Sequence, residues 1–157
     1  MKKITLILAA LIAGASLPAQ TPAAAAASPY TVTVDFPYAS KYVFRGAQFA
    51  EGSFQPSIKI VAGDAYSVIW TNQPVTSNTD NEIDLYAGYG WKLGDKWSLD
   101  AGATLYYYPE LDESLGLDNN TFEGYVGLNG TLGSFTVGLY AYDDFTLETF
   151  TLQGTLG

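Results

Sequence analysis

Along most of this chain, apolar and polar side chains alternate with a period of two residues. From Trp97 to Tyr107 the odd positions are apolar or aromatic, and the even positions are mostly small, polar or charged. The same alternation runs through residues 82–93, 121–131 and 135–142. Because successive side chains of a strand point to opposite faces, the pattern predicts an all-β chain whose sheet has one apolar and one polar face.

Two architectures produce such a sheet. In a soluble sandwich or lipocalin-like barrel the apolar face points inward, whereas in an outer-membrane barrel it points to lipid. Three further features favour an antiparallel up-and-down transmembrane β-barrel of about eight strands. We expect the strands near 30–45, 54–62, 65–72, 82–93, 96–108, 121–131, 135–142 and 147–156.

The first feature is the length of the connections. Tight turns near residues 63–64, 93–95 and 132–134 alternate with longer connections at 46–53, 73–81 and 109–120. Short periplasmic turns and long external loops are typical of this barrel class. The short connection at 143–146 departs from the pattern.

The second feature is a set of aromatic residues at strand ends. Such side chains favour the membrane–water interface, although cross-strand pairing in an ordinary sheet is the alternative. The predicted girdle consists of Tyr89, Trp91, Trp97, Tyr106, Tyr107 and Tyr108.

The third feature is the number of glycines on the polar face, where they would leave room inside a closed barrel. They are Gly88, Gly90, Gly102, Gly127 and Gly138.

The first 27 residues have the layout of a secretory signal peptide. Lys2 and Lys3 precede an apolar run from Ile4 to about Ala15, and small residues with Ala-x-Ala spacing follow. We therefore expect residues 1–27 to be cleaved and residues 28–157 to form an exported barrel domain in the bacterial outer membrane. The expected partners are outer-membrane lipid, lipopolysaccharide and the barrel-assembly machinery.

Charge and composition exclude several classes of function. The chain has 16 acidic and 7 basic residues and a net charge of −9, which argues against nucleic-acid binding. It contains neither cysteine nor histidine, so a Ser-His-Asp triad, a thiol nucleophile and a Cys/His zinc site are all ruled out. We predict a non-enzymatic protein with no catalytic residues, no metal and no cofactor.

Two of the few basic residues, Lys41 and Arg45, lie in one predicted strand. In that strand Tyr42 and Phe44 would face lipid, while Lys41 and Arg45 would face the lumen with carboxylates from other strands. Arg45 would pair with one carboxylate there, or else be a solvated charge at the external rim. The lumen-facing charged candidates are Lys41, Arg45, Glu82, Asp84, Asp100 and Glu123.

The stretch "SKYVFRG", residues 40–46, has the pattern S-x-Y-x-F-R-G. With "NEIDLYAGYGW" and "WSLDAGATLYYYP" it resembles the TorF-type porin family of conserved hypothetical bacterial outer-membrane proteins. The resemblance covers nearly all of residues 28–157 and implies an outer-membrane barrel with channel function. Unlike typical barrels of this kind, the sequence ends at Gly157 without a terminal aromatic.

The eight strands would therefore either close by themselves, with the interior filled by side chains, or form part of a larger barrel. The function expected first is that of a porin or small-solute channel, which would favour cations if it conducts, because acidic side chains face the lumen. A soluble exported β-barrel that binds an apolar ligand and a surface adhesin acting through its loops are the alternatives. The solute is not predicted.

Overall fold

The computed structural model describes residues 28–76, 80–111 and 118–157. The predicted signal peptide, residues 1–27, lies outside the described residues, as do 77–79 and 112–117 in two of the predicted external loops. None of the described segments forms a helix long and apolar enough to cross a membrane.

Twelve β-strands account for the regular structure of the described residues. They are β1 (Thr31–Asp35), β2 (Tyr38–Ala39), β3 (Tyr42–Phe44), β4 (Ala47–Ala50), β5 (Ser53–Phe54), β6 (Ser57–Ala62), β7 (Ala65–Pro74), β8 (Glu82–Leu93), β9 (Trp97–Tyr107), β10 (Asn120–Leu132), β11 (Phe135–Asp144) and β12 (Thr149–Leu156).

Eight of these strands form an antiparallel meander in the order β1-β6-β7-β8-β9-β10-β11-β12. The short strand β5 pairs with β2 and β7, and β3 and β4 form a separate hairpin. The all-β, antiparallel prediction is confirmed. A closed barrel is not found, because within the described residues β1 pairs only with β6 and β12 only with β11.

The tight turns are where the sequence predicts them. Gly63, Gly94 and Gly133 begin the turns after β6, β8 and β10, with φ of 62°, 71° and 64°. Glycine adopts such left-handed backbone without the steric cost that a side chain brings.

The single strand predicted over residues 30–45 is wrong, because this segment divides into β1, β2 and β3. Pro37 lies between β1 and β2 and has no N–H to donate to a strand ladder. Its carbonyl accepts a hydrogen bond from the Gln55 N–H at 2.9 Å instead. Pro56 interrupts the next predicted strand, 54–62, in the same way and separates β5 from β6.

The two faces of the sheet differ sharply in exposure. We define the apolar face as the face of the sheet that carries Leu139. On this face the side chains of Leu85, Val126 and Leu139 are 44%, 46% and 60% exposed. On the opposite, polar face, which carries Glu123, the residues most buried are polar; Glu123 is 1% and Thr104 7% exposed. The sheet is thus covered on its polar face and open on its apolar face.

Candidate functional site on the polar face

The cover of the polar face includes the β3–β4 hairpin, whose turn has unusual backbone. Arg45 and Gly46, its two central residues, have φ of 47° and 84°. Two consecutive positive φ values are the requirement of a type I′ turn, in which asparagine or glycine usually takes the first position. An arginine held there costs about 1–3 kcal/mol, so surrounding contacts must stabilise it.

Those contacts centre on a bidentate ion pair. The Arg45 guanidinium donates from Nη1 to Glu123 Oε2 at 2.6 Å and from Nη2 to Oε1 at 2.9 Å. The Arg45 side chain is 24% exposed and that of Glu123 only 1%. Tyr106 also donates its hydroxyl to Glu123 Oε1, at 3.0 Å. The predicted pairing of Arg45 with a carboxylate is therefore present, and Glu123 is the partner.

Two aromatic rings lie close to the Arg45 guanidinium. Its carbon atom Cζ lies 4.6 Å from the ring centroids of Phe44 and Tyr142. Burial lowers the pKa of Arg45, but the hydrogen bonds and negative charge of Glu123 raise it by more. The guanidinium consequently keeps its charge and its fixed orientation.

The other predicted charged residues lie apart from this pair. Glu82, Asp84 and Asp100 occupy the polar face, but none of them forms a hydrogen bond or salt bridge with Arg45. Glu82 accepts a hydrogen bond from the Tyr108 hydroxyl at 3.0 Å. Lys41 is exposed in the bend before β3, so it does not share a strand face with Arg45 as predicted.

The predicted orientation of Tyr42 and Phe44 towards lipid is wrong. The ring of Tyr42 lies 5.4 Å from that of Trp70, and Phe44 lies 5.9 Å from Tyr106, between ring centroids. Val43, which lies between them, is 54% exposed. The reason is that these residues belong to a hairpin folded over the polar face and not to a strand of the main sheet.

The predicted aromatic girdle divides between the faces. Four of its residues alternate with polar-face residues and so lie on the apolar face: Tyr89, Trp91, Trp97 and Tyr107. The rings of Tyr89 and Trp91 contact each other there, with centroids 4.8 Å apart and planes tilted by 46°. Placing Tyr106 and Tyr108 in the girdle is wrong. Their hydroxyls donate to Glu123 and Glu82, so both residues belong to the polar face.

Two cavities adjoin the hairpin turn. The large cavity, about 720 Å³, and the small cavity, about 340 Å³, both have Phe44, Arg45 and Tyr106 in their walls. The large cavity also contacts Glu82 and Asp144. The small cavity is lined further by Tyr66, Asp84, Tyr86, Asp100, Tyr125, Tyr140 and Tyr142. The turn that carries Arg45 is thus the wall shared by the two.

The glycines of the polar face make room for these tyrosines. A Cβ atom added to Gly88 would lie 2.5 Å from the Tyr66 hydroxyl and 2.8 Å from that of Tyr125. A Cβ atom on Gly102 would likewise meet the side chain of Tyr125, and one on Gly127 would meet that of Tyr140. A Cβ atom on Gly90 would meet only backbone oxygens, at 3.9 Å. The predicted space-making role therefore holds for most of these glycines.

Sequence reasoning missed the tyrosines that fill this space. Tyr66, Tyr125 and Tyr140 form a hydrogen-bonded network with Asp100, which accepts from Tyr66 at 3.0 Å and from Tyr140 at 3.2 Å. A signal was available, because these tyrosines alternate with apolar positions and pair across strands with glycines.

Comparison with known proteins places the chain in a family. A family model described as a bacterial protein of unknown function (Gcw_chp) matches residues 23–153, and the chain belongs to this family. No curated protein and no solved structure matches the chain. The resemblance to TorF-type porins stays a prediction.

Proposed function

We propose that this member of a bacterial family of unknown function forms the wall of an outer-membrane β-barrel that passes small solutes and catalyses no reaction. Its apolar face contacts lipid, and its polar face lines the solute path. The signal peptide predicted for residues 1–27 supplies the export that such a protein needs.

The exposure of the apolar face is the observation that carries this proposal. Large side chains from β6 to β12 lie side by side there, exposed by 39% to 74%. They include Ile58, Ile69, Leu85, Val126, Leu128, Leu139, Leu152 and Leu156. A water-soluble protein rarely exposes a contiguous apolar patch of more than a few hundred Å², whereas a lipid-facing sheet requires one.

The covered face supports the same proposal and disfavours the apolar-ligand alternative. A soluble barrel that binds an apolar ligand would bury its apolar face, but here the buried residues are mostly polar and include four carboxylates, Glu82, Asp84, Glu123 and Asp144, 1% to 8% exposed. Carboxylates outnumber cations on this face, so permeating cations would be enriched over anions.

A closed barrel requires partners for the two edge strands of the sheet, β1 and β12. A strand edge cannot face hydrocarbon, because its N–H and C=O groups would have no partners. We propose that β1 and β12 pair in the membrane, either with each other or with further strands. The β3–β4 hairpin would then narrow the path at the Arg45–Glu123 pair.

Insertion and conductance test the proposal in turn. The chain is refolded into lipid vesicles, and boiled and unboiled samples are compared on a denaturing gel with and without protease. We expect an unboiled band that migrates faster and is protected from protease. Vesicle-inserted protein is then fused to a planar bilayer under a KCl gradient, where the reversal potential should have the sign of cation preference.

The outcomes separate the parts of the proposal. Monodisperse folded protein in buffer without lipid or detergent would overturn the membrane assignment. Insertion and protection without conductance would leave a membrane wall but overturn the channel, while an anion-selective reversal potential would overturn the role given to the carboxylates.

A further inference from the structure

The small cavity is lined by two carboxylates, Asp84 and Asp100, that form no salt bridge with a lysine or arginine within residues 28–76, 80–111 and 118–157. Asp84 is 8% exposed, and its buried Oδ1 has no hydrogen-bond partner among the described residues. Asp100 accepts hydrogen bonds only from tyrosine hydroxyls there. Arg45 also lines the cavity, but Glu123 engages its guanidinium. Because a buried carboxylate is unfavourable without a partner, Asp84 in particular points to a ligand that carries positive charge.

The walls between the two carboxylates are aromatic. Tyr66, Tyr86, Tyr125, Tyr140 and Tyr142 line the cavity. Two of these rings already hold cations of the chain itself: Tyr142 faces Arg45 at 4.6 Å, and Tyr66 faces the Lys59 ammonium at 5.4 Å. Aromatic faces attract organic cations in this distance range, so the lining suits an ammonium ligand.

The separation of the carboxylates sets the shape of that ligand. Asp84 in β8 lies opposite Tyr106 in β9, and Asp100 precedes Tyr106 by six residues on the same strand. At about 3.3 Å per residue, the two positions are roughly 20 Å apart along the sheet. A compact cation can reach one carboxylate only, whereas an extended one can approach both.

We propose that the small cavity binds a linear aliphatic polyamine, with ammonium groups directed to Asp84 and Asp100 and methylene segments against the tyrosine rings. A bare divalent cation fits less well. Ca²⁺ takes six to eight oxygen ligands, and no group of three or more potential metal-binding side chains occurs within residues 28–76, 80–111 and 118–157.

For the proposed channel, this site identifies polyamines as a class of solute. Passage of the polyamine rests on the channel proposal, but binding rests only on residues of the folded sheet. The two can therefore fail separately.

Isothermal titration of spermine into the refolded chain in a zwitterionic detergent tests binding. We expect saturable binding, weakened about tenfold by Asp84→Asn or by Asp100→Asn, since each removes one charge-assisted contact. The double variant should bind at least a hundredfold more weakly. The matched control is Asp95→Asn in the β8–β9 turn, which should bind as the unaltered chain does.

A series of amines tests the spacing without any substitution. Affinity should rise from butylamine to 1,4-diaminobutane to spermine, and only spermine should lose affinity in both single variants. Absence of spermine binding by the folded, unaltered chain would overturn the inference. Equal affinity of the double variant, checked as folded by circular dichroism, would overturn it as well.

Spermine binding, vesicle insertion and conductance, measured on the same samples, separate the binding site from the channel. Spermine binding by a folded chain that fails to insert into vesicles would keep the site and overturn the channel. Cation conductance without spermine binding would keep the channel and overturn the site.

Discussion

The two faces of this sheet differ in which side chains they bury: the apolar face leaves large apolar side chains exposed, and the polar face buries carboxylates. Val126 on the apolar face is 46% exposed, whereas Glu123, three residues earlier on the polar face, and its cross-strand partners Thr104 and Asp144 are at most 7% exposed. Both faces are built from the same strands with the same pairing. The difference shows that alternation sets the two faces and that it is the polar face that the rest of the chain covers.

The covered face depends on precise polar pairing, and the open face depends on uniform apolarity. On the polar face one hairpin residue in left-handed backbone, Arg45, meets the most buried carboxylate of the sheet, Glu123. Changes that remove a partner should therefore matter most there. On the apolar face only a change of polarity should matter.

The largest effect is expected from Arg45→Asn. Asparagine suits the left-handed turn position, so the substitution removes the charge without adding backbone strain. It leaves Glu123, 1% exposed, without its counter-ion, and we expect a loss of about 3–5 kcal/mol in the free energy of unfolding.

Urea unfolding in vesicles, followed by tryptophan fluorescence, measures that loss. The double variant Arg45→Asn/Glu123→Gln should recover most of it, because no buried charge then lacks a partner. Equal stability of Arg45→Asn and the unaltered chain would show that the ion pair does not hold the hairpin.

The second effect concerns the apolar face. Val126→Arg places a charge amid the exposed apolar residues of β9, β10 and β11. In a membrane it should destabilise the fold by about 2–4 kcal/mol, as charges do near the midplane of lipid-facing barrel surfaces. The matched control is Ser134→Arg in the β10–β11 turn, which should change stability little. The refolding yield in vesicles is measured for both variants. A normal yield for Val126→Arg would count against lipid contact by the apolar face.

A smaller contrast comes from adding one methyl group to each face. Gly102→Ala would push against Tyr125 and the Ala87 carbonyl oxygen, and overpacking of this kind costs about 1–3 kcal/mol. Gly154→Ala on the apolar face meets no atom within 4 Å and should be tolerated. The difference between their urea midpoints measures how tightly the polar face is packed; equal midpoints would contradict the covered arrangement.

The smallest effect is expected from Tyr140→Phe. Its hydroxyl accepts from Asn129 Nδ2 at 2.6 Å and donates to Asp100 at 3.2 Å. Removing it should cost about 0.5–1.5 kcal/mol, because the ring stays in place and only hydrogen bonds are lost. Tyr89→Phe on the apolar face, where the tyrosine is 40% exposed, is the control and should be neutral within about 0.5 kcal/mol.

Strong alternation made the long strands predictable. Strands β8 to β11 lie within three residues of their predicted bounds, and the glycine turns between them follow from the requirement for positive φ. The polar face could also be assigned from the residues of β9 and β10 alone. Which solvent meets each face is not encoded in the periodicity, because either arrangement has the same period.

The segment from β2 to β5 could not be predicted in this way. Strands β2 to β5 have two to four residues each, too few for alternation to distinguish a strand from a hairpin. The turn at Arg45–Gly46 lacked the Asn-Gly signature, so Lys41 to Arg45 looked like one continuous strand. The pairing of Arg45 with Glu123, 78 residues later, is set by the sheet and not by any local pattern.

Lipid contact by the apolar face can be measured with single spin labels, because the chain contains no cysteine of its own. Single cysteines are placed in turn at residues 137–141 of β11, spin-labelled, and refolded into vesicles. Accessibility to oxygen, which partitions into lipid, is compared with accessibility to a water-soluble nickel chelate. We expect oxygen accessibility to be highest at residues 137, 139 and 141 and lowest at 138 and 140. Higher accessibility to the nickel chelate than to oxygen at 139 would contradict lipid contact.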